Sequence, residues 1–507
     1  MRTSEFAPAL SATVSRAALV SFSGRLAAVA ALIALGDFLF YRSGPGPGIA
    51  LVFFIGALAC TALAVSQARP AQQLLVAVVL FATLAPLIED ANALSLLIAS
   101  CGAATTVLIS LGGWEGSFPY RLLAAVRLLI RGPFQVLIDL PETGANISAG
   151  SVQLSGRNLA IWILPICMSA VFAGLFAAAN PIIEGWLKAI DFTWLLALFD
   201  VGRTWFWLAM LVIAWPFAFA RRLKSRSPAS ANVSAAAPAA EFGDGSVLFG
   251  ERAILRCLLA FNALFAVQTT LDVAILWQGH SLPAGVSFAD YAHRGAYPLI
   301  VTALLAGAFV IAAMQPGQAA GRSSLIRALV ILWTAQNIAL VISSLLRLKL
   351  YVEVYSLTYW RVAAFIWMAL VAVGLVLISI QVWRRLSNGW LISAITMLGA
   401  ATLYACAFVN FAYIIADTNL RQCKQGPGSC LEVDRDYIRG LGPDVIPAID
   451  RQVNSRLGPD EAFRLSGIRN DLADVVRHWQ TDWRSWTFRG WRLARYLEAH
   501  PVAPSLP

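Results

Sequence analysis

Charged residues are scarce in this sequence. Asp, Glu, Lys and Arg make up 13% of the 507 residues, and 59% of the residues are hydrophobic. Soluble domains carry about 25% charged residues, so this composition excludes a single soluble domain and an intrinsically disordered chain. The net charge of +10 then indicates basic loops between membrane segments rather than a nucleic-acid surface. We predict an all-α polytopic transmembrane bundle whose main partner is the lipid bilayer, with no nucleic-acid partner.

Several motifs of known chemistry are also missing. The sequence has no GxxxxGK[ST], HExxH, GxSxG or CxxC pattern. It therefore predicts no catalytic residue, no metal and no other cofactor, and enzyme activity is not the favoured hypothesis. One enzymatic alternative stays open, a membrane enzyme acting on a lipid-linked substrate, with Asp272, Asp290 or Glu353 as the carboxylate.

Long apolar runs account for most of the chain. A helix needs about 20 apolar residues to cross the ~30 Å hydrocarbon layer. About eleven runs meet this criterion, at 24–41, 48–67, 71–88, 91–112, 159–179, 202–220, 251–277, 295–315, 324–347, 359–382 and 389–416. We divide the chain into a membrane half at 1–220, a Ser/Ala/Pro-rich linker at 221–245, a second membrane half at 246–416 and a small helical extramembrane tail at 417–507.

Two segments outside the spans have a distinctive composition. Residues 117–140 form the pattern of a basic amphipathic helix, which we expect along the inner leaflet or packed under the bundle. The end of the tail interleaves tryptophans with arginines. It is expected to pack against the outer membrane surface or the helix ends.

Charge counting predicts the orientation. With the N-terminus in the cytoplasm, most basic loop residues, including Arg221-Arg222 and Arg384-Arg385, fall on the cytoplasmic side. An odd number of spans then places the tail outside. Cys423 and Cys430 bracket a Gly/Pro loop in that tail, a spacing that suits a local disulfide in an oxidising compartment.

Ionisable residues gather at the outer ends of the seventh to tenth spans. Arginine and lysine outnumber carboxylates there, so a ligand pocket at this level would favour an anion. The alternative interpretation of the same residues is a network of structural ion pairs. Asn337, Ser344, Arg347 and Tyr351 also share one face of the ninth span. This polar face predicts either interhelical hydrogen bonds or a substrate path.

Two motifs carry a family resemblance. Tyr291-Ala-His293-Arg294-Gly295 opens one span, and Tyr351-Val-Glu-Val-Tyr355-Ser-Leu-Thr358-Tyr-Trp-Arg361 joins two others. Together they resemble the bacterial polytopic membrane family called domain of unknown function 4173, which is related to family 4153. Tail segments around Asn419 and Asp436-Tyr437 resemble it too. The resemblance implies a bacterial inner-membrane protein and supplies no activity. Ser356 stands where the family has glycine, which takes positive φ more freely.

We therefore expect a multi-pass inner-membrane protein that binds, or transports, a small anionic or lipid-like ligand at its outer face. The alternative is a sensory or scaffolding protein that contacts a signalling partner through 117–140 and 221–245. The candidate ligand-binding residues are Asp272, Tyr291, His293, Arg294, Asn337, Arg347, Tyr351, Glu353, Tyr355, Thr358 and Arg361.

Overall fold

The computed structural model describes most of the membrane helices and most of the tail. The described residues are 22–41, 44, 46–65, 69–111, 116–147, 168–169, 200–219, 251–274, 305, 323–422, 434–453 and 459–501. They form two compact units. Unit 1 comprises the described residues up to 219, apart from Ser117–Pro119, together with Thr481–Phe488, and unit 2 comprises the others.

Ten helices in the described residues precede the tail. They are α1 (Phe22–Phe40), α2 (Gly48–Val65), α3 (Pro70–Glu89), α4 (Ala93–Ser110), α5 (Phe118–Ile147), α6 (Val201–Ala218), α7 (Glu251–Asp272), α8 (Ser324–Tyr355), α9 (Tyr359–Arg384) and α10 (Asn388–Cys406). Within the described ranges, all of these except α5 are long and apolar enough to cross a membrane. The predicted helical polytopic bundle is thereby confirmed.

The surfaces of these helices are those of lipid-facing elements. Phe81 on α3 is 75% exposed, and Trp360 and Trp383 on α9 are 87% and 72% exposed. Trp360 and Trp383 lie about 34 Å apart along the helix axis. This spacing matches the two interfaces of a ~30 Å hydrocarbon layer, where tryptophan concentrates.

Three predicted segments fall almost wholly outside the described residues. They are the spans at 159–179 and 295–315 and the linker at 221–245. The remaining predicted spans correspond one to one with α1–α4 and α6–α10, because a long uncharged run forms a helix wherever lipid replaces water around its backbone.

In unit 1, α5 packs against the helical bundle. Its inner face buries Ala125, Leu128 and Val136, and the Trp215 indole on α6 donates a 3.1 Å hydrogen bond to the buried Asp139 carboxylate. The opposite face of α5 is exposed and carries apolar and basic side chains, namely Leu123, Arg127, Ile130, Arg131 and Phe134. The amphipathic helix thus packs on the bundle through one face, and its position along the inner leaflet stays a prediction.

In unit 2, short helices follow the last span. They are α11 (Phe411–Gln422), α12 (Arg435–Gly440), α13 (Ile446–Val453), α14 (Pro459–Trp479) and α15 (Phe488–Ala499), with a 3₁₀ turn at Pro443–Val445 between α12 and α13. Their apolar faces meet in one core that includes Leu420, Ile438, Ile446 and Leu465.

Two predicted helix boundaries were wrong. The run 389–416 is broken, because α10 ends at Cys406 and the Asn410 side chain accepts a 2.9 Å hydrogen bond from the Tyr413 amide, as an N-cap of α11. The ninth span, predicted to end at residue 347, continues as α8 to Tyr355. Hydropathy marks where a helix leaves the lipid and does not mark where the helix ends.

Candidate functional site

A buried ion pair joins α7 to α8. The Arg347 guanidinium contacts the Asp272 carboxylate, and the two side chains are 5% and 0% exposed. Gln268, one turn before Asp272 on α7, donates a 3.0 Å hydrogen bond to the same carboxylate oxygen. A charge in this apolar setting is costly unless it is paired, so each group stabilises the other.

The ion pair lies at the end of the apolar part of α8. Arg327 and Arg347 bracket the uncharged stretch 328–346, which is about 29 Å long as a helix and so nearly equals the hydrocarbon layer. Arg347 therefore sits at a membrane boundary while remaining covered by neighbouring helices.

The polar face of α8 leads to this pair. Asn337 and Ser344 are each 1% exposed. The Asn337 amide donates to the Trp333 carbonyl at 2.8 Å, and its side-chain oxygen accepts no hydrogen bond among the described residues. Ser344 donates to the Leu340 carbonyl at 2.9 Å. The polar residues thus face the interior of the unit rather than lipid.

Asn262 on α7 belongs to the same interior and was missed in the sequence. Its amide nitrogen donates to the Leu258 carbonyl at 2.8 Å and across to the Leu329 carbonyl of α8 at 3.1 Å. The available signal was one polar side chain in the apolar run 257–267, which in a membrane helix indicates an interhelical contact.

Arg361 fastens the turn between α8 and α9. Its guanidinium donates to the carbonyls of Tyr355, at 2.5 Å, and Ser356, and lies 4.7 Å from the centroid of the Tyr351 ring. Ser356 has φ 67° and ψ 169°, a conformation that suits glycine. Arg361 thereby satisfies carbonyls at the C-terminal end of α8 that have no partner within the helix.

Two residues of the tail hold the same turn. Asn419 on α11 accepts a 2.6 Å hydrogen bond from the Leu357 amide and donates a 2.9 Å bond to the Leu357 carbonyl. The Tyr437 hydroxyl accepts a 3.0 Å bond from the Tyr359 amide. The tail therefore packs on the end of unit 2 at which α8 ends and α9 begins.

The structure brings together only part of the predicted ligand set. Asp272 meets Arg347, Asn337 lies on the buried face leading to them, and Tyr351, Tyr355 and Arg361 cluster at the turn. Thr358 is the N-cap residue of α9, its carbonyl accepting the Val362 amide, and Glu353 is exposed on α8. The residues that fall outside the described part of the chain are Tyr291, His293, Arg294, Cys423 and Cys430.

The described residues contain no group of three or more His, Cys, Asp or Glu side chains arranged to hold a metal. Of the carboxylates considered for an enzyme, Asp272 is occupied by Arg347, Glu353 is exposed, and Asp290 lies outside the described residues.

Unit 1 contains a second charged cluster, whose pairing the sequence did not reveal. Arg203 on α6 donates to Asp37 on α1 at 2.9 Å, and the Trp207 indole donates to the same oxygen at 2.9 Å. Tyr41 donates to Asp200, and the Arg203 guanidinium lies 5.3 Å from the centroid of the Tyr41 ring. These contacts join the end of α1 to the start of α6.

Residues Thr481–Phe488, which we call the docking segment, pack on the turn between α1 and α2. The Asp482 carboxylate accepts a 3.0 Å hydrogen bond from the Gly44 amide, and Ser485 donates to the Gly46 carbonyl at 2.7 Å. Hydrogen bonds from the backbone amides of Arg484 and Gly44 hold the pKa of Asp482 below its ordinary value. The aromatic and basic part of the tail thus meets helix ends.

A hydrogen-bonded network around Asp450, on α13, joins this helix to α14 and α15. Arg469 on α14 donates to Asp450 at 3.0 Å, and the Tyr496 hydroxyl on α15 donates to the same carboxylate at 3.2 Å. Burial, with the neighbouring Asp450 charge, raises the pKa of Tyr496 to about 12.

These observations define the class of protein: a helical multi-pass membrane protein with polar residues buried between its spans. A family model, "Domain of unknown function (DUF4153)", matches residues 74–452, and the chain belongs to this family. This family is related to domain of unknown function 4173, the family that the two sequence motifs resemble. No curated protein and no solved structure matches the chain.

Proposed function

We propose that this protein binds a small anionic ligand at Arg347, at the outer face of a bacterial inner membrane. One observation carries the proposal: an arginine held within apolar helices, beside a polar helix face and paired with the buried carboxylate of Asp272. An ionisable residue inside a membrane helix costs free energy, which makes a functional role the first hypothesis.

Arginine suits this role because of its shape. The planar guanidinium presents paired donors that match the oxygens of a carboxylate or a phosphate. In the structure Asp272 takes that position. A ligand anion would therefore compete with Asp272 for the guanidinium of Arg347.

The orientation in this proposal has the N-terminus in the cytoplasm and the tail in the periplasm. In unit 2, the end of α9 remote from the tail carries Arg384-Arg385. In unit 1, Arg25 and Arg69 lie at the opposite helix ends from Asp37 and Asp200. Both patterns support arginine-rich ends facing the cytoplasm.

Binding by the purified full chain in lipid nanodiscs would test the proposal. The probes are inorganic phosphate, sulfate, acetate and succinate. We expect at least one anion to bind, and Arg347→Gln to weaken that binding by about tenfold or more, as expected for loss of a charge-assisted hydrogen-bonded contact.

The matched control is Arg439→Gln, which removes the arginine of an ion pair that is 56% exposed on both sides. This variant should bind the anion as the parent does. Equal binding by the parent and the Arg347 variant, or no binding of any probe, would refute the proposal.

A further inference from the structure

Unit 1 contains a partly open apolar cavity among its membrane helices. The cavity has a volume of about 520 Å³ and is lined by residues of α1, α2, α4, α5 and α6. Among the lining residues only Ser100, on α4, has a polar side chain. A volume of this size is typical of a small-molecule site, and an apolar lining does not hold water.

The shape of the cavity follows the helix axis. Phe206, Met210, Ile213 and Phe217 line it along one face of α6, which corresponds to about 16 Å of helix. One leaflet of the bilayer contributes about half of the ~30 Å hydrocarbon layer. The cavity is thus as long as one hydrocarbon chain of a membrane lipid.

One end of the cavity adjoins the charged cluster of unit 1. Phe40 and Phe206 line the cavity there. Tyr41 follows Phe40 directly, its ring lies 5.7 Å from that of Phe206, and it donates to Asp200. Arg203, whose side chain is 45% exposed, lies one helical turn from Phe206. The site therefore combines an apolar interior with a polar, partly exposed rim.

From this arrangement we infer that unit 1 binds a membrane phospholipid, with one acyl chain in the cavity and the headgroup at the rim formed by Tyr41, Asp200 and Arg203. Empty apolar space would leave the lining side chains without contacts on one side. Lipid is the apolar molecule that surrounds these helices, and its acyl chain matches the cavity in polarity and length. This site is independent of the anion proposed at Arg347.

Depth-resolved photo-crosslinking on the unmodified full chain tests the inference. Two phosphatidylcholines are incorporated separately into nanodiscs, one with a diazirine at the end of an acyl chain and one with a diazirine near the ester. The terminal label should reach Leu128–Pro133 or Ile213–Phe217, and the label near the ester should reach the region of Phe40 and Phe206. Labels found only on outward-facing residues such as Phe81, whatever their depth, would overturn the inference.

A pair of variants on α4 adds a second readout. Ser100→Phe places a ring in the cavity, whereas Leu97→Phe enlarges a side chain that is 54% exposed on the same helix. We expect Ser100→Phe to reduce labelling of the cavity by about tenfold, equivalent to the lost burial of about two methylene groups, and Leu97→Phe to leave it unchanged. An equal effect of both variants would contradict the inference. If Ser100→Phe does not fold, the depth pattern of labelling on the unmodified chain still tests the inference.

Discussion

Breaking the Asp272–Arg347 pair should destabilise unit 2 strongly, and removing both charges should restore most of the stability. Asp272→Asn removes the carboxylate that pairs with Arg347, and Arg347→Met removes the guanidinium that pairs with Asp272. The double variant Asp272→Asn/Arg347→Met removes both charges and keeps side chains of similar length.

The exposure of the two side chains determines the expected size of the effect. At 5% and 0% exposure, each single variant breaks a buried ion pair by removing one member, which typically costs about 3–5 kcal/mol. Replacing both members of a buried pair by neutral groups is often close to neutral. The double variant should therefore lose far less stability than the sum of the single variants, with a coupling energy of about 3 kcal/mol or more.

The measurement is unfolding of the full chain in lipid–detergent micelles, followed by the loss of helical circular dichroism as the denaturing detergent is increased. The control cycle uses Arg439→Met and Asp471→Asn, whose side chains are both 56% exposed. This pair should show a coupling energy of about 1 kcal/mol or less. Strictly additive losses at Asp272 and Arg347, or single variants as mild as those of the control pair, would refute the reasoning.

Three further predictions concern single sites. Ser356→Gly should raise the unfolding midpoint and stabilise by about 1 kcal/mol, because φ 67° and ψ 169° strain a residue with a side chain; an unchanged midpoint would contradict this. Gly48→Ala should increase hydrogen exchange in the docking segment, because the added Cβ would lie 2.4 Å from the Trp486 carbonyl oxygen. Gly46→Ala is the control and should leave the exchange unchanged, because no atom lies within 4 Å of its added Cβ. The raised pKa of Tyr496, about 12 against an ordinary 10.0, means that the folded state holds the phenol proton more tightly. Its contribution to stability is complete below pH 10 and is lost as the pH rises towards 12. Tyr496→Phe should remove this loss of stability between pH 10 and pH 12. The variant should also lack one phenolate ionisation step when absorbance is followed at high pH.

The membrane helices were predictable because one physical requirement determines them. Backbone amides in lipid must bond within the segment, so long uncharged runs become helices whatever their neighbours are. The break between α10 and α11 was not predicted, since Phe408 and Val409 keep the run apolar across it. The local signal was Asn410, whose side chain caps the following helix, and hydropathy alone gives it little weight.

The turn between α8 and α9 shows what a motif can and cannot predict. Comparison with the family pattern marked Ser356 as a position for glycine, and its positive φ agrees. The same motif marked Arg361 as a position of interest, and its guanidinium binds two carbonyls of the turn. Its contact with a ligand stays a prediction. Sequence patterns identify positions under constraint, but only the packed structure separates a constraint on the backbone from a constraint on binding.

The buried pair shows the same limit at the candidate site. The sequence established that Arg347 needs a compensating charge, because an isolated guanidinium in apolar surroundings is too costly. It offered Asp272, Asp290 and Glu353 as partners and could not choose among them, since the choice depends on how α7 packs against α8. The two hypotheses of an ion pair and an anion pocket are then not exclusive. Asp272 pairs with Arg347 in the structure. If the proposed anion binds there, it must compete with that carboxylate, so the ion pair would also set the free-energy cost of binding.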